Sequence, residues 1–218
     1  MRDTLIEEAR NFAIKAHGHQ KYGDSPYVVH LDAVAGTLER FGHAGDTNLI
    51  AAAYLHDTLE DTEYDIDDSL LQDDLAGVHK TPLEEGIRET AAIFARLKQA
   101  GTLDLKDLET YIHQVFGFDV LDLVSLVTNA RKEFYPFRHQ RNHATFTRLH
   151  GKTRATALKL ADRISNVFAG WLEDNPKRNM YRNEQKQFFD LLYVPGDSNG
   201  KMWSALTQLL NLPNLKGW

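Results

Sequence analysis

The apolar run Leu49-Ile50-Ala51-Ala52-Ala53-Tyr54-Leu55 leads without a break into His56-Asp57 and then Glu60-Asp61. A segment this apolar must be buried, and it carries ionisable groups inward with it. Buried charge is costly unless it is paired or bound to metal, so the fold has to supply partners at this point. An adjacent His-Asp pair offers a divalent cation one imidazole nitrogen and one carboxylate oxygen. If the segment is helical, Glu60 stands four residues after His56 and Asp61 four after Asp57, which puts all four side chains on one side. A cation with acids beside it can handle a water molecule. The dipeptide alone means little: with ten histidines and nineteen aspartates in 218 residues, roughly one His-Asp pair is expected by chance. Demanding the two further acids at fixed offsets lowers that expectation roughly two-hundredfold. The competing reading is an exposed acidic helix end.

The remaining periodicity is helical. Thr4 and Glu7 are spaced as a capping box, and Leu5, Ala9, Phe12, Ala13 and Ala16 then recur on one face. Ser25-Pro26 reads as an N-cap followed by proline at the first helical position, opening a helix over 27–41 that Gly42 stops. Asp46 is placed to cap the helix that carries the tetrad. Thr81-Pro82-Leu83-Glu84 repeats the capping-box spacing ahead of a helix to Gly101. Further helices are expected over about 104–116, 119–128, 156–172 and 180–193, with a last one after the loop 195–200. Residues 17–24 and 63–80 read as polar loops, and the stretch after Thr128 as a long polar one. No strand-like alternation or internal repeat appears. An all-α globule follows.

Composition narrows function by exclusion. At 42% hydrophobic the chain can bury one substantial core and reads as a single domain, 1–218. The absence of cysteine removes disulfides, thiolate zinc sites and a cysteine nucleophile. A net charge of −6 argues against general affinity for nucleic acid or an anionic membrane. No apolar run is long enough to cross a membrane, and Arg2-Asp3 leads into an amphipathic helix rather than a signal peptide. A cytoplasmic protein is expected.

Two ligands hold an ion poorly, so others are sought on buried-looking helices. His30 lies on a different stripe from Val28, Leu31, Val34 and Leu38; a lone histidine there is more often a satisfied structural residue. Asp162 sits in Ala157-Leu-Lys-Leu-Ala-Asp-Arg-Ile-Ser-Asn-Val167, apolar on most sides, yet Lys159, Asp162 and Asn166 share one face. The bland alternative for Asp162 is an ion pair with Lys159 or Arg163. Two imidazoles and two carboxylates form a mixed nitrogen and oxygen shell that suits Mn²⁺, Fe²⁺, Ni²⁺ or Zn²⁺ without choosing among them. Such a cation makes water a nucleophile near neutral pH and polarises a phosphoryl oxygen.

Charge distribution points to the substrate. Between Asn129 and Arg154 stand Arg131, Lys132, Arg138, Arg141, Arg148, Lys152 and Arg154 against one acid, Glu133. Guanidinium groups beside a Lewis acid are what a phosphate-rich substrate requires. Arg138 and Arg141 are therefore candidate substrate contacts, with Lys21, Lys159 and Asn166 adding contacts from other elements. The alternative is a solvated basic loop balancing the acidic segment 63–85.

Taken together, these stretches resemble the HD-domain phosphohydrolases, and more narrowly the small alarmone hydrolases, the hydrolase half of the Rel/Spo-type proteins. The matching pieces are Phe12-Ala-Ile-Lys-Ala-His-Gly-His-Gln20, Ser25-Pro-Tyr-Val-Val-His30, Ala52-Ala-Tyr-Leu-His-Asp-Thr-Leu-Glu-Asp-Thr62, Phe116-Gly117 with Leu123-Val-Ser-Leu-Val-Thr128, and Lys159-Leu-Ala-Asp-Arg-Ile-Ser-Asn166. They occur in family order over about three quarters of the chain. The resemblance implies an all-α HD fold and one Mn²⁺ held by His30, His56, Asp57 and Asp162. It implies Glu60 and Asp61 as the catalytic acids that position or deprotonate water, and a nucleotide contact at Asn166. The implied reaction removes the 3′-pyrophosphate of guanosine 3′,5′-bis(diphosphate), or of its pentaphosphate form, to give GDP or GTP.

The chain also departs from that pattern. Lys21-Tyr22 stands where the family shows Arg-Lys, Gly23-Asp24-Ser25 replaces Ser-Gly-Glu, and Leu31 stands where proline commonly follows the histidine. Guanine against adenine is left open by these changes. Residues 66–103 look like a helical insertion that could form a lid, a homo-oligomer contact or a partner surface, and 174–218 like a C-terminal helical extension. The rival readings are an HD phosphohydrolase of another nucleotide (an adenine alarmone, a deoxynucleoside triphosphate or a 5′-nucleotide) and a non-catalytic nucleotide-binding or antitoxin module.

Overall fold

Nine α-helices among the described residues build the fold around one helix whose sides are almost all covered. The computed structural model describes residues 2–60, 105–173 and 175–213. Asp61, the acidic segment, the capping box at Thr81 and the whole of 66–103 lie outside them. The helices are α1 (Arg2–His17), α2 (Val28–Leu38), α3 (Thr47–Leu55), α4 (Leu105–Phe116), α5 (Phe118–Val127), α6 (Arg138–Leu149), α7 (Thr153–Leu172), α8 (Lys177–Leu192) and α9 (Gly200–Asn211). The all-α expectation holds, apart from a two-strand hairpin of β1 (Lys21–Tyr22) and β2 (Ser25–Pro26). None of the described helices is long and apolar enough to cross a membrane.

The central helix is α7. Ala155, Ala157, Leu158, Leu160, Ala161, Ile164 and Val167 are all buried along it, and α2, α3, α5, α8 and α9 pack against it. A helix apolar on nearly every side belongs in the middle of a domain. α1 lies on α3 and α3 on α5, while Phe12 of α1 stacks on Tyr111 of α4 at 4.7 Å between ring centroids. Phe188 of α8 bridges Phe146 of α6 and Trp203 of α9. Arg178 and Arg182 of α8 donate to the last carbonyls of α9, including Leu209 O and Leu210 O, a common way of satisfying a helix C-terminus.

Helix boundaries follow local chemistry, with several corrections. Asp46 caps α3 as expected, its Oδ1 accepting from Leu49 N at 3.1 Å. Gly42, at φ +98°, ends a π-helical turn (Glu39–His43) that continues α2, a backbone position other residues rarely adopt. α1 begins at Arg2, ahead of Thr4, so the expected capping box falls inside the helix. Ser25-Pro26 is not an N-cap. Pro26 pairs with Lys21 across the hairpin, at an edge where its missing N–H costs nothing, and α2 starts two residues later. The polar stretch after Thr128 contains α6, which sequence periodicity misses because two of its four buried positions are polar, Asn142 and Thr145 beside Phe146 and Leu149. Thr145 is satisfied there, its Oγ1 accepting from Ala130 N at 3.0 Å.

Arg154, at the start of α7, reaches two acids on different elements. It donates to both oxygens of Asp46 and both of Asp119 at 2.7–2.9 Å, so α3, α5 and α7 share one ionic knot. Hydrogen bonds from Arg154 and Asn48 hold the Asp119 carboxyl below its ordinary 3.8. A depressed carboxylate pKa stabilises the fold above the unfolded value, and that contribution is lost as pH falls through the folded value. The groups are 30–46% exposed, so solvent screening keeps the knot to about 1 kcal/mol. Arg154→Ala is expected to lower stability by about that amount at neutral pH, with the gap from wild type closing below pH 4 in urea titrations.

Candidate functional site

His56 follows the last residue of α3, and its Nδ1 lies 2.7 Å from Ala53 O. A carbonyl only accepts, so Nδ1 carries a proton, and in the neutral ring Nε2 keeps a lone pair. Nε2 lies close to two carboxylate oxygens, Asp57 Oδ2 at 3.2 Å and Asp162 Oδ1 at 3.8 Å. His30 of α2 turns its Nε2 to the same two atoms, at 3.6 and 3.4 Å. Both imidazoles are buried, and His56 Nε2 has no hydrogen-bond partner. Two carboxylates and the Nε2 of His56, meeting beside His30, call for a positive charge between them.

The electrostatics agree. Burial opposes an imidazolium at His56, yet Asp57 and Asp162 outweigh it and lift its pKa well above the ordinary value. His30 is lifted in the same way. Burial opposes ionisation of Asp162 and Asp57, but the histidines, with Lys159 beside Asp162, hold both well below the carboxylate range. A divalent cation suits such a donor set. Ligand atoms of His30, His56 and Asp162 lie within 4.8 Å of one another, and these residues could bind a metal ion. The structure thus brings the four expected ligands together from two helices, α2 and α7, and the turn after α3.

Glu60 departs from the expected arrangement. The tetrad is not one continuous helix: α3 stops at Leu55, and the turns that follow are closed by Thr58 N to Leu55 O and Glu60 N to Asp57 O. Glu60 consequently faces Asn129, whose backbone and side-chain nitrogens donate to its two oxygens at 2.7 and 2.8 Å. Burial is the main cause that raises its pKa, with the Asp57 charge adding to it against the pull of Lys159 and Asn129. Each oxygen keeps lone-pair capacity for a water. Asp61 lies outside the described residues.

A cavity of about 430 Å³ opens beside the cluster. His30, Asp57 and Asp162 line it, with Lys21, Lys159, Asn166 and Arg138 from the expected substrate contacts. Lys159 is buried and already engaged, with Nζ donating to Val127 O at 3.1 Å and lying 3.6 Å from Asp162 Oδ2. The anticipated ion pair with Asp162 is therefore present. Arg163 pairs instead with Glu184, at 2.8 Å. Asn166 is also engaged, giving Nδ2 to Asp162 Oδ1 at 2.5 Å and taking a hydrogen bond from Tyr22 Oη at 2.9 Å.

The basic stretch needs the largest revision. Of its seven basic residues, Arg138 alone lines the cavity. Arg141 lies outside the lining and donates to the carbonyls of Tyr135 and Pro136. Arg148 donates to the carbonyls of Leu126 and Thr128, and Arg154 forms the ionic knot. Much of the charge asymmetry therefore serves the backbone and the acids of neighbouring helices.

Sequence reasoning missed part of the cavity wall. Arg163, Lys177, Tyr181 and Glu184 line it, three of them from α8, a helix read as part of a C-terminal extension. Glu184 accepts from Arg138 and from the buried Arg163, whose guanidinium lies 4.1 Å over the Phe188 ring. The available signal was weak: Lys177, Tyr181 and Glu184 recur at helical spacing, as do many solvated faces.

A solved structure described as "A metazoan ortholog of SpoT hydrolyzes ppGpp and plays a role in starvation responses" superposes with a TM-score of 0.59 over 94% of this chain and 93% of that one, at 22% identity. By sequence, the chain is 28% identical over 206 residues to guanosine-3′,5′-bis(diphosphate) 3′-pyrophosphohydrolase of Aquifex aeolicus, a match covering 94% of this chain and 23% of that protein. It is 45% identical over 62 residues to the Xenopus tropicalis pyrophosphohydrolase MESH1, covering 27% of this chain and 35% of that protein. The matched regions span about a quarter and a third of those relatives' lengths. No family model matches the chain. The resemblance read from the motifs and the fold read from periodicity agree with these likenesses.

His56→Ala and Asp162→Ala are expected to abolish binding of a divalent cation, measured as bound metal after dialysis. Glu60→Gln, which keeps the Asn129 contact at one oxygen and stands outside the cluster, is expected to retain the metal.

Proposed function

We propose that this chain hydrolyses the 3′-pyrophosphate of guanosine 3′,5′-bis(diphosphate) and its pentaphosphate form, releasing pyrophosphate and GDP or GTP. The observation that carries the reading is the convergence of His30, His56, Asp57 and Asp162 on one point beside a cavity lined by cationic side chains. The names of the Aquifex and Xenopus relatives supply the substrate. Mn²⁺ is the proposed cation, and the cytoplasm the proposed place of action.

In this reading His30, His56, Asp57 and Asp162 hold the cation, which when bound lowers the pKa of water and draws charge from a phosphoryl oxygen. Glu60, oriented by Asn129, takes a proton from the attacking water, and its raised pKa suits it to receive one. Water oxygen adds to the phosphorus that carries the ribose 3′ oxygen, the bond to that oxygen breaks, and the proton returns to it. Asp61 is proposed as a second acid for this water. Arg138, held by Glu184 at the cavity wall, and Lys21 at its rim supply positive charge for the phosphates. Burial and the ion pair with Asp162 give Lys159 a supporting part in the same field.

A second reading, hydrolysis of another phosphate-rich nucleotide, has one observation behind it: Asn166, the residue expected to contact the nucleotide, is engaged by Tyr22 and Asp162. A substrate panel separates the two. With Mn²⁺ and the purified chain, the guanosine tetraphosphate is expected to yield pyrophosphate and GDP, and Glu60→Gln to cut turnover at least about a hundredfold. Absence of pyrophosphate, with phosphate or triphosphate released from ordinary nucleotides, would overturn the guanosine reading.

A further inference from the structure

The hairpin of β1 and β2 delivers two phenols to the two carboxylates of the cluster. Tyr27, just after β2, donates its hydroxyl to Asp57 Oδ2 at 2.5 Å. That oxygen is the one facing both imidazoles. Tyr22, in β1, donates to Asn166 Oδ1 at 2.9 Å, and Asn166 Nδ2 donates in turn to Asp162 Oδ1 at 2.5 Å. This too is the oxygen facing both imidazoles. The Tyr22 ring lies flat on His30, with centroids 4.7 Å apart and planes 20° from parallel, and Tyr27 meets the same imidazole edge-on at 5.6 Å.

The order of donors along this chain is forced. A carboxylate accepts only, so the Asn166 nitrogen must face Asp162, which leaves Oδ1 free to receive the Tyr22 proton. A carboxylate oxygen has two lone pairs and can take a hydrogen bond on one while the other faces a cation. Partners of this kind fix a ligand's orientation and raise metal affinity.

We propose that Tyr22 and Tyr27 are positioning residues that brace the two metal-facing carboxylates, Tyr27 directly at Asp57 and Tyr22 through Asn166 at Asp162. Asn166 thereby serves the metal site and not the nucleotide. Tyr22 stands where the resembling family carries lysine, so the arm through Asn166 is built from this chain's own side chains. The inference rests on the cluster being a cation site, as proposed above.

The test is Mn²⁺ binding to the full chain without substrate, read from the loss of the free-ion signal in electron paramagnetic resonance. Tyr22→Phe and Tyr27→Phe keep the rings and their stacking and remove only the hydroxyls; Asn166→Ala removes the relay. Each is expected to weaken Mn²⁺ binding roughly 10- to 100-fold with thermal unfolding close to wild type. With Mn²⁺ saturating, Asn166→Ala is expected to leave KM for the guanosine tetraphosphate within about threefold. Wild-type affinity in the Tyr22→Phe and Asn166→Ala variants would overturn the brace, and a raised KM alongside it would return Asn166 to the nucleotide. A wild-type chain that binds no Mn²⁺ would sink the cation reading itself, an outcome distinct from failure of the brace.

Discussion

His56 gives its Nδ1 proton to Ala53 O and turns Nε2 into the interior, where His30 Nε2, Asp57 and Asp162 meet at the same point. The two carboxylates accept only, and a positive charge among the four side chains lets them share one space. Burying such groups unpaired would cost several kcal/mol each, a large share of a typical domain's stability. The surrounding structure makes sense as the means of holding these four side chains together. α7 carries Asp162 from a buried position, α2 carries His30, and the turn after α3 supplies His56 and Asp57.

Around that quartet lies a layer of neutral and charged hydrogen-bond partners. Asn129 fixes Glu60, Tyr27 fixes Asp57, and Tyr22 with Asn166 fixes Asp162. Elsewhere in the cavity lining Glu184 pins Arg138 and Arg163 in place. A site held this way pays little reorganisation when charge develops during reaction, which is how preorganised polar groups stabilise a transition state. It also explains why the hairpin and α8 come close to the same cavity although they are far apart in sequence.

Much of this was legible in the sequence, for identifiable reasons. Helices announced themselves wherever their buried stripe was apolar, as in α5 with Val120, Leu123, Val124 and Val127. Lys159, Asp162 and Asn166 were legible as one face of an apolar helix, and all three line the cavity. α6 was hidden because Asn142 and Thr145 occupy core positions. The end of α3 was hidden because the tetrad's spacing fits a helix as well as it fits the tight turns found there. The basic stretch misled because net charge along a sequence does not say which carbonyls and carboxylates the guanidinium groups will meet. Arg148 and Arg154 met backbone and acids of adjacent helices, and Arg163, a single arginine outside the stretch, proved to line the cavity. Tyr22 and Tyr27 gave no warning, since a phenol's role depends on an acceptor that only the fold brings near.

The central claim is that His30, His56, Asp57 and Asp162 enclose one cation. Crystals grown with Mn²⁺ and measured at the manganese absorption edge test it most directly. The account predicts one strong anomalous peak at bonding distance from both Nε2 atoms, Asp57 Oδ2 and Asp162 Oδ1. A peak elsewhere in the molecule, with the four side chains closed on one another through hydrogen bonds alone, would contradict it.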